Sequence, residues 1–238
     1  VASGDYKLDP DPTCAPFEVV PCDVFITEAT FALPIYRWET GEHTAREVLK
    51  WWDENIKAGK PSLLFCYALG KSQRVLAELL RLDPSREVYL HGAMTNLTKI
   101  YRDAGIEMLP TTTISETDKT KSFAGELILA PPSAYRSVWM KRFKGAETGF
   151  ASGWMRVRGT RRRKGYDRGF VLSDHADWNE LIDTAKQTGA SQVLPTHGST
   201  QILTKYLNEI GIEATPLEIT AYDDTDSDTG SESETVNA

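Results

Sequence analysis

No apolar run in these 238 residues approaches the roughly 18 to 20 that a membrane-crossing helix needs, so no such helix is expected. Cysteine is scarce. Cys14, Cys22 and Cys66 are odd in number and lack C-x-x-C spacing, which excludes a disulfide framework and a thiolate zinc knuckle. With no signal peptide readable at its start, the chain is expected to be cytoplasmic, reduced and without a membrane partner. The last sixteen residues hold no Lys or Arg. They carry Asp223, Asp224, Asp226, Asp228, Glu232 and Glu234, with only Val236 to bury, so residues 223–238 are expected to be a disordered acidic tail. The net charge is −7, of which those six carboxylates supply all but −1, so the acidic balance does not argue against a nucleic-acid partner. A Walker phosphate loop is missing too: Gly70-Lys71-Ser72 has Phe65, not glycine, five positions before Gly70.

What is present is a strand–helix alternation. Residues 23–27, 62–67, 87–90, 127–130 and 170–172 are short apolar strands, and residues 1–5 read as a strand end. Helical spacing appears in Val48, Leu49, Trp52 and Ile56, in Val75, Leu76, Leu79 and Leu80, and over 96–104 and 135–143. An α/β protein with largely parallel strands follows.

The stretch 171–178 is the centre of interest. It carries Ser173-Asp174-His175-Ala176-Asp177 between a strand and a helix that Asp177 should cap and Gly189 should end. Some twenty residues later Thr196-His197-Gly198 repeats the pattern, and histidines at the tips of successive units can lie side by side. Asp5 and Glu28 also fall at strand tips. Carboxylates and imidazoles are what a hydrolytic zinc site uses. Lys71 and Ser72, at a helix start with Arg74, suit a backbone phosphate. Arg156, Arg158, Arg161, Arg162, Arg163, Lys164 and Arg168 crowd thirteen residues, flanked by Trp154 and Tyr166, which suits phosphate contact and base stacking. His43 and His91 read as structural.

These motifs resemble, in order and over most of the chain, those of the β-CASP nucleases of the metallo-β-lactamase superfamily. The matching runs are Thr27-Glu28-Ala29-Thr30, Gly70-Lys71-Ser72-Gln73, Ser173-Asp174-His175-Ala176-Asp177 and Thr196-His197-Gly198, with Ser3-Gly4-Asp5 similar to the strand-tip aspartate that bridges two zinc ions. Within the family the resemblance is to bacterial ligase-associated DNA exonucleases, also called mRNA 3′-end processing factors. It implies a partial lactamase-type core at 1–30, an inserted β-CASP cap at 31–169, and the returning core at 170–222. It also implies zinc-dependent phosphodiester cleavage, most simply a DNA exonuclease in repair beside a DNA ligase and a helicase. An RNA 3′-end processing nuclease and a non-catalytic nucleic-acid-binding protein are the alternatives. Asp5 and His197 would hold metal, His175 would act as general acid with Glu28 orienting it and Asp174 beside it, and Lys71, Ser72 and the basic stretch would bind the strand. The family's His-x-His-x-Asp-His motif is absent from this sequence. The chain is therefore expected to be a C-terminal fragment that binds zinc weakly and is inactive alone.

Overall fold

A computed structural model describes residues 1–160 and 165–217. The expectations placed on Arg161, Arg162, Arg163, Lys164 and the acidic tail lie outside them. The described strands form two sheets, and every pairing is parallel. The α/β expectation is met.

The smaller sheet pairs β1 (Val24–Ala29) with β8 (Gln192–Gly198), elements from opposite ends of the chain. Residues before β1 extend it on the other side: Ala2 bridges to Ile26, and the Ile26 N–H donates to the Val1 carbonyl at 2.8 Å. The last two helices described, labelled α4 (Trp178–Thr188) and α5 (Thr200–Glu209), contribute to this sheet's core. Phe25, Trp178, Leu181, Ile182, Val193, Leu203 and Leu207 are buried together there.

Residues between β1 and β8 build the larger sheet. Its strands are β2 (Ser62–Phe65), β3 (Val88–Leu90), β4 (Thr111–Thr113), β5 (Leu127–Ala130), β6 (Glu147–Ala151) and β7 (Arg168–Phe170), in spatial order β4-β3-β5-β2-β6-β7. β2 shows why a strand covered on both faces runs apolar, here from Leu63 to Phe65. Leu64 joins Val48 and Trp51 of α1 (Gly41–Lys57) and Leu76 and Leu79 of α2 (Lys71–Leu82) on one face. Leu63 and Phe65 join Ile128, Phe150, Phe123 and Phe143 on the other. Burying each such side chain contributes about 1.5–3 kcal/mol. α3 (Gly92–Asp103) follows β3 and is capped by the His91 side chain, whose Nδ1 accepts from the Ala93 N–H.

Residues 135–143 are a correction. The expected helix is replaced by 3₁₀ turns at Pro132–Ala134 and Val138–Arg142, with Arg136 between them at φ +59°. A non-glycine residue in the left-handed region cannot continue an α-helix. No helix among the described residues is long and apolar enough to cross a membrane.

Candidate active site at the strand tips

Parallel pairing puts the carboxyl ends of the segment before β1, of β1 and of β8 on one edge, where open α/β sheets place their chemistry. Glu28 sits near the end of β1, only 3% exposed, and is held from both sides. Its Oε1 accepts from the Tyr6 N–H at 3.1 Å, and its Oε2 lies 2.7 Å from His175 Nδ1. Asp5, just past the edge segment, places Oδ1 3.9 Å from the same ring nitrogen. Asp5, Glu28 and His175 bring one ligand atom each within 4.8 Å of one another, the one such metal-type grouping among the described residues.

His175 is presented by a tight turn after β7. Ser173 Oγ accepts from the His175 N–H and donates to the His175 carbonyl, both at 3.0 Å. Trp38 Nε1–H donates to that carbonyl too, and the Phe31 ring meets the imidazole edge-on at 5.7 Å between centroids. Asp177 ends the turn in a full capping box with Glu180, and Gly189 closes α4 in the left-handed conformation, as the sequence indicates. Burial opposes the charged imidazole, but the Glu28 hydrogen bond and the charges of Glu28 and Asp5 outweigh it, so the His175 pKa is raised above its ordinary value. The pair is built to hold a proton.

His197 lies outside that grouping, in which Asp5 stands with Glu28 and His175. Glu28 pairs with Thr196 and Ala29 with Gly198, so His197 is the extra residue of a β-bulge, at φ +55°. Its Nδ1 lies 3.2 Å from Thr196 Oγ1. Gly198, at φ +89°, lies so close to β1 that a Cβ there would meet the Ala29 carbonyl oxygen at 2.3 Å.

Lys71 and Ser72, at the start of α2, are both buried. Ser72 is fully buried and its hydroxyl donates to the Ala68 carbonyl at 2.8 Å. Lys71 is 3% exposed; its ammonium pairs with Asp174 at 2.9 Å and lies 5.0 Å from the Tyr67 ring centroid. Both groups are satisfied internally, and Asp174 is engaged by Lys71. Arg156 and Arg158 are exposed. Of the two flanking aromatics, Tyr166 packs among Phe150, Tyr135 and Phe65, whereas Trp154 is 37% exposed.

Arg74 had drawn attention only as a basic residue at a helix start. It is 1% exposed, donates to the Ser173 carbonyl at 2.9 Å, and pairs with Asp9 and Asp11 of the proline-rich segment. It thereby ties that segment and α2 to the turn bearing His175. Four-residue spacing from Gly70 gives no hint of this; a charged residue among Val75, Leu76 and Leu79 is the only signal.

The chain matches no protein-family model. It is 30% identical over 212 residues to a probable DNA ligase of Opitutus terrae (strain DSM 11246 / JCM 15787 / PB90-1), a match covering 89% of this chain. The chain spans only about a fifth of that relative's length, since the match covers 20% of it. A crystal structure of a protein of unknown function from Enterococcus faecalis V583 superposes with a TM-score of 0.54 at 12% identity, over 86% of this chain and 52% of that one. At that identity the likeness speaks for the fold alone.

Proposed function

We propose that this chain carries part of the catalytic centre of a zinc-dependent nuclease of the β-CASP metallo-β-lactamase type, acting on DNA ends in company with ligation. The observation that carries the reading is the 2.7 Å contact between His175 and the buried Glu28, with the Asp5 carboxylate alongside. An imidazole whose pKa is raised by Glu28, beside an open strand-tip edge, suits a general acid that delivers its proton to the leaving oxygen of a phosphodiester. Glu28, fixed by the Tyr6 N–H, orients that imidazole. The DNA setting draws on the name of the Opitutus relative.

The donors present suit zinc in kind, carboxylate oxygen and imidazole nitrogen. Asp5 is the residue that would hold it, because its side chain is 74% exposed while Glu28 and His175 are bonded to each other. Zinc, when bound, supplies Lewis-acid stabilisation of the phosphoryl group. The native gene product should degrade an end-labelled DNA strand in a chelator-sensitive manner and leave a matched RNA strand largely intact. Preferential RNA cleavage would transfer the reading to RNA processing, and absence of cleavage of both would refute it.

A second reading, nucleic-acid binding without cleavage by residues 1–238 alone, is favoured by the position of His197 outside the grouping. It leaves Asp5 as the uncommitted donor. Zinc titration of this polypeptide should give weak binding; a tight stoichiometric site would contradict that reading.

A further inference from the structure

We propose that Trp154 is a stacking platform for an unpaired base next to the phosphodiester presented to His175. The inference rests on the nucleic-acid reading above and narrows its substrate to a strand whose end is single or frayed.

Trp154 lies in the 3₁₀ turn Gly153–Arg156. Its ring is 4.7 Å from Phe31 and 5.9 Å from Tyr36, between centroids. Phe31 is itself 5.7 Å from the His175 ring, so the Trp154 and imidazole centroids are separated by no more than about 10.4 Å. That is a span of nucleotide size. The support beneath the indole is rigid: Phe31 and Tyr36 are buried, Trp38 meets Phe31 edge-on at 5.0 Å, and Trp38 is hydrogen-bonded to the His175 carbonyl. Gly153 makes the close approach feasible, because a Cβ there would meet Phe31 at 2.7 Å and Trp38 at 3.1 Å.

Chemistry around the ring fits a nucleotide better than an apolar partner. Arg156, on the same turn, is exposed and donates to the Ile35 carbonyl at 3.4 Å, and exposed Arg158 follows. An exposed arginine two residues along the turn from a partly open indole offers a phosphate contact and a base-stacking surface together. Tyr67, the other exposed aromatic among the described residues, has the Lys71 ammonium near its ring.

The test uses this chain and two labelled DNA strands, one intact and one with abasic links at its 3′ and 5′ terminal positions. Wild type should bind the intact strand about tenfold more tightly, the usual scale of one base–aromatic stack. Trp154→Ala should bring the intact strand down to the abasic affinity and leave abasic binding unchanged. Trp154→Phe should keep most of the discrimination, and Trp154→Leu, which retains apolar packing on Phe31, should lose it. Equal weakening of both strands, or no change in either, would overturn the platform while leaving nucleic-acid binding in place. Wild type binding neither strand at low salt would instead overturn the nucleic-acid reading, and the platform with it.

Discussion

His175 sits in a conflict between burial, which favours the neutral ring, and two carboxylates, which favour the charged one; the carboxylates win. A pKa raised on folding means that protonated His175 adds stability below the unfolded value, about 6.5, and that this contribution is lost as pH rises through the folded value. Glu28→Gln removes the dominant stabilising partner. The denaturant midpoint of that variant should vary less than wild type across this neutral window, and an unchanged pH dependence would show that the contact is not an ion pair. The same residue-scale logic separates Asp5 from Glu28. One carboxylate is open and the other is fixed by Tyr6 and His175, though both are acidic residues at strand tips in sequence. Burial and hydrogen bonding, which no single position reveals, assign them different capacities.

At the scale of elements, the bulge where β1 meets β8 decides where His197 lies. Gly198→Ala would force a Cβ into the Ala29 carbonyl and a non-glycine residue into φ +89°. It should cost about 2 kcal/mol or more in urea unfolding. Asp177→Ala removes one half of the α4 capping box and should cost about 1 kcal/mol by the same measurement. Elements with a strong apolar signature were legible in sequence: residues 127–130 read as the strand that forms β5, and the α4 cap and stop read directly from Asp177 and Gly189. β4 escaped notice because Thr111, Thr112 and Thr113 carry no apolar pattern. β6 escaped because Gly149 interrupts it, and that glycine is there to admit Phe170, Leu64 and Trp51. The bulge was illegible for a different reason. The recurrence of a strand-tip histidine some twenty residues after His175 gives no sign that the ladder takes one extra residue at His197.

Across the whole molecule, Arg74 is the connection that local patterns conceal. It joins residues 9 and 11 and the Ser173 carbonyl to helix α2, reaching partners up to 99 positions from itself. Arg74→Ala leaves Asp9 without its cation and Asp11 with Lys7 alone in a largely buried setting, and should destabilise the fold by about 3–5 kcal/mol. Burial tends to raise the Asp11 carboxyl, but the Thr13 hydroxyl and N–H, then Arg74 and Lys7, hold it below the usual range. Stability from Asp11 is thus present above the unfolded pKa, about 3.9, and is lost as pH falls through the depressed folded value. Asp11→Asn should shallow the acid limb of the stability curve. Long-range assembly also explains which parts of the candidate centre were readable. The motifs single out Asp5, Glu28, His175 and His197, and the folded chain groups the first three. The internal engagement of Lys71 and Ser72 depends on tertiary packing and was not readable. Single-turnover cleavage of labelled DNA by the native gene product and its His175→Ala variant, at matched strand affinity, tests the proposed chemistry most directly. The account predicts that the variant binds the strand as wild type does and does not cut it; cutting at the wild-type rate would contradict it.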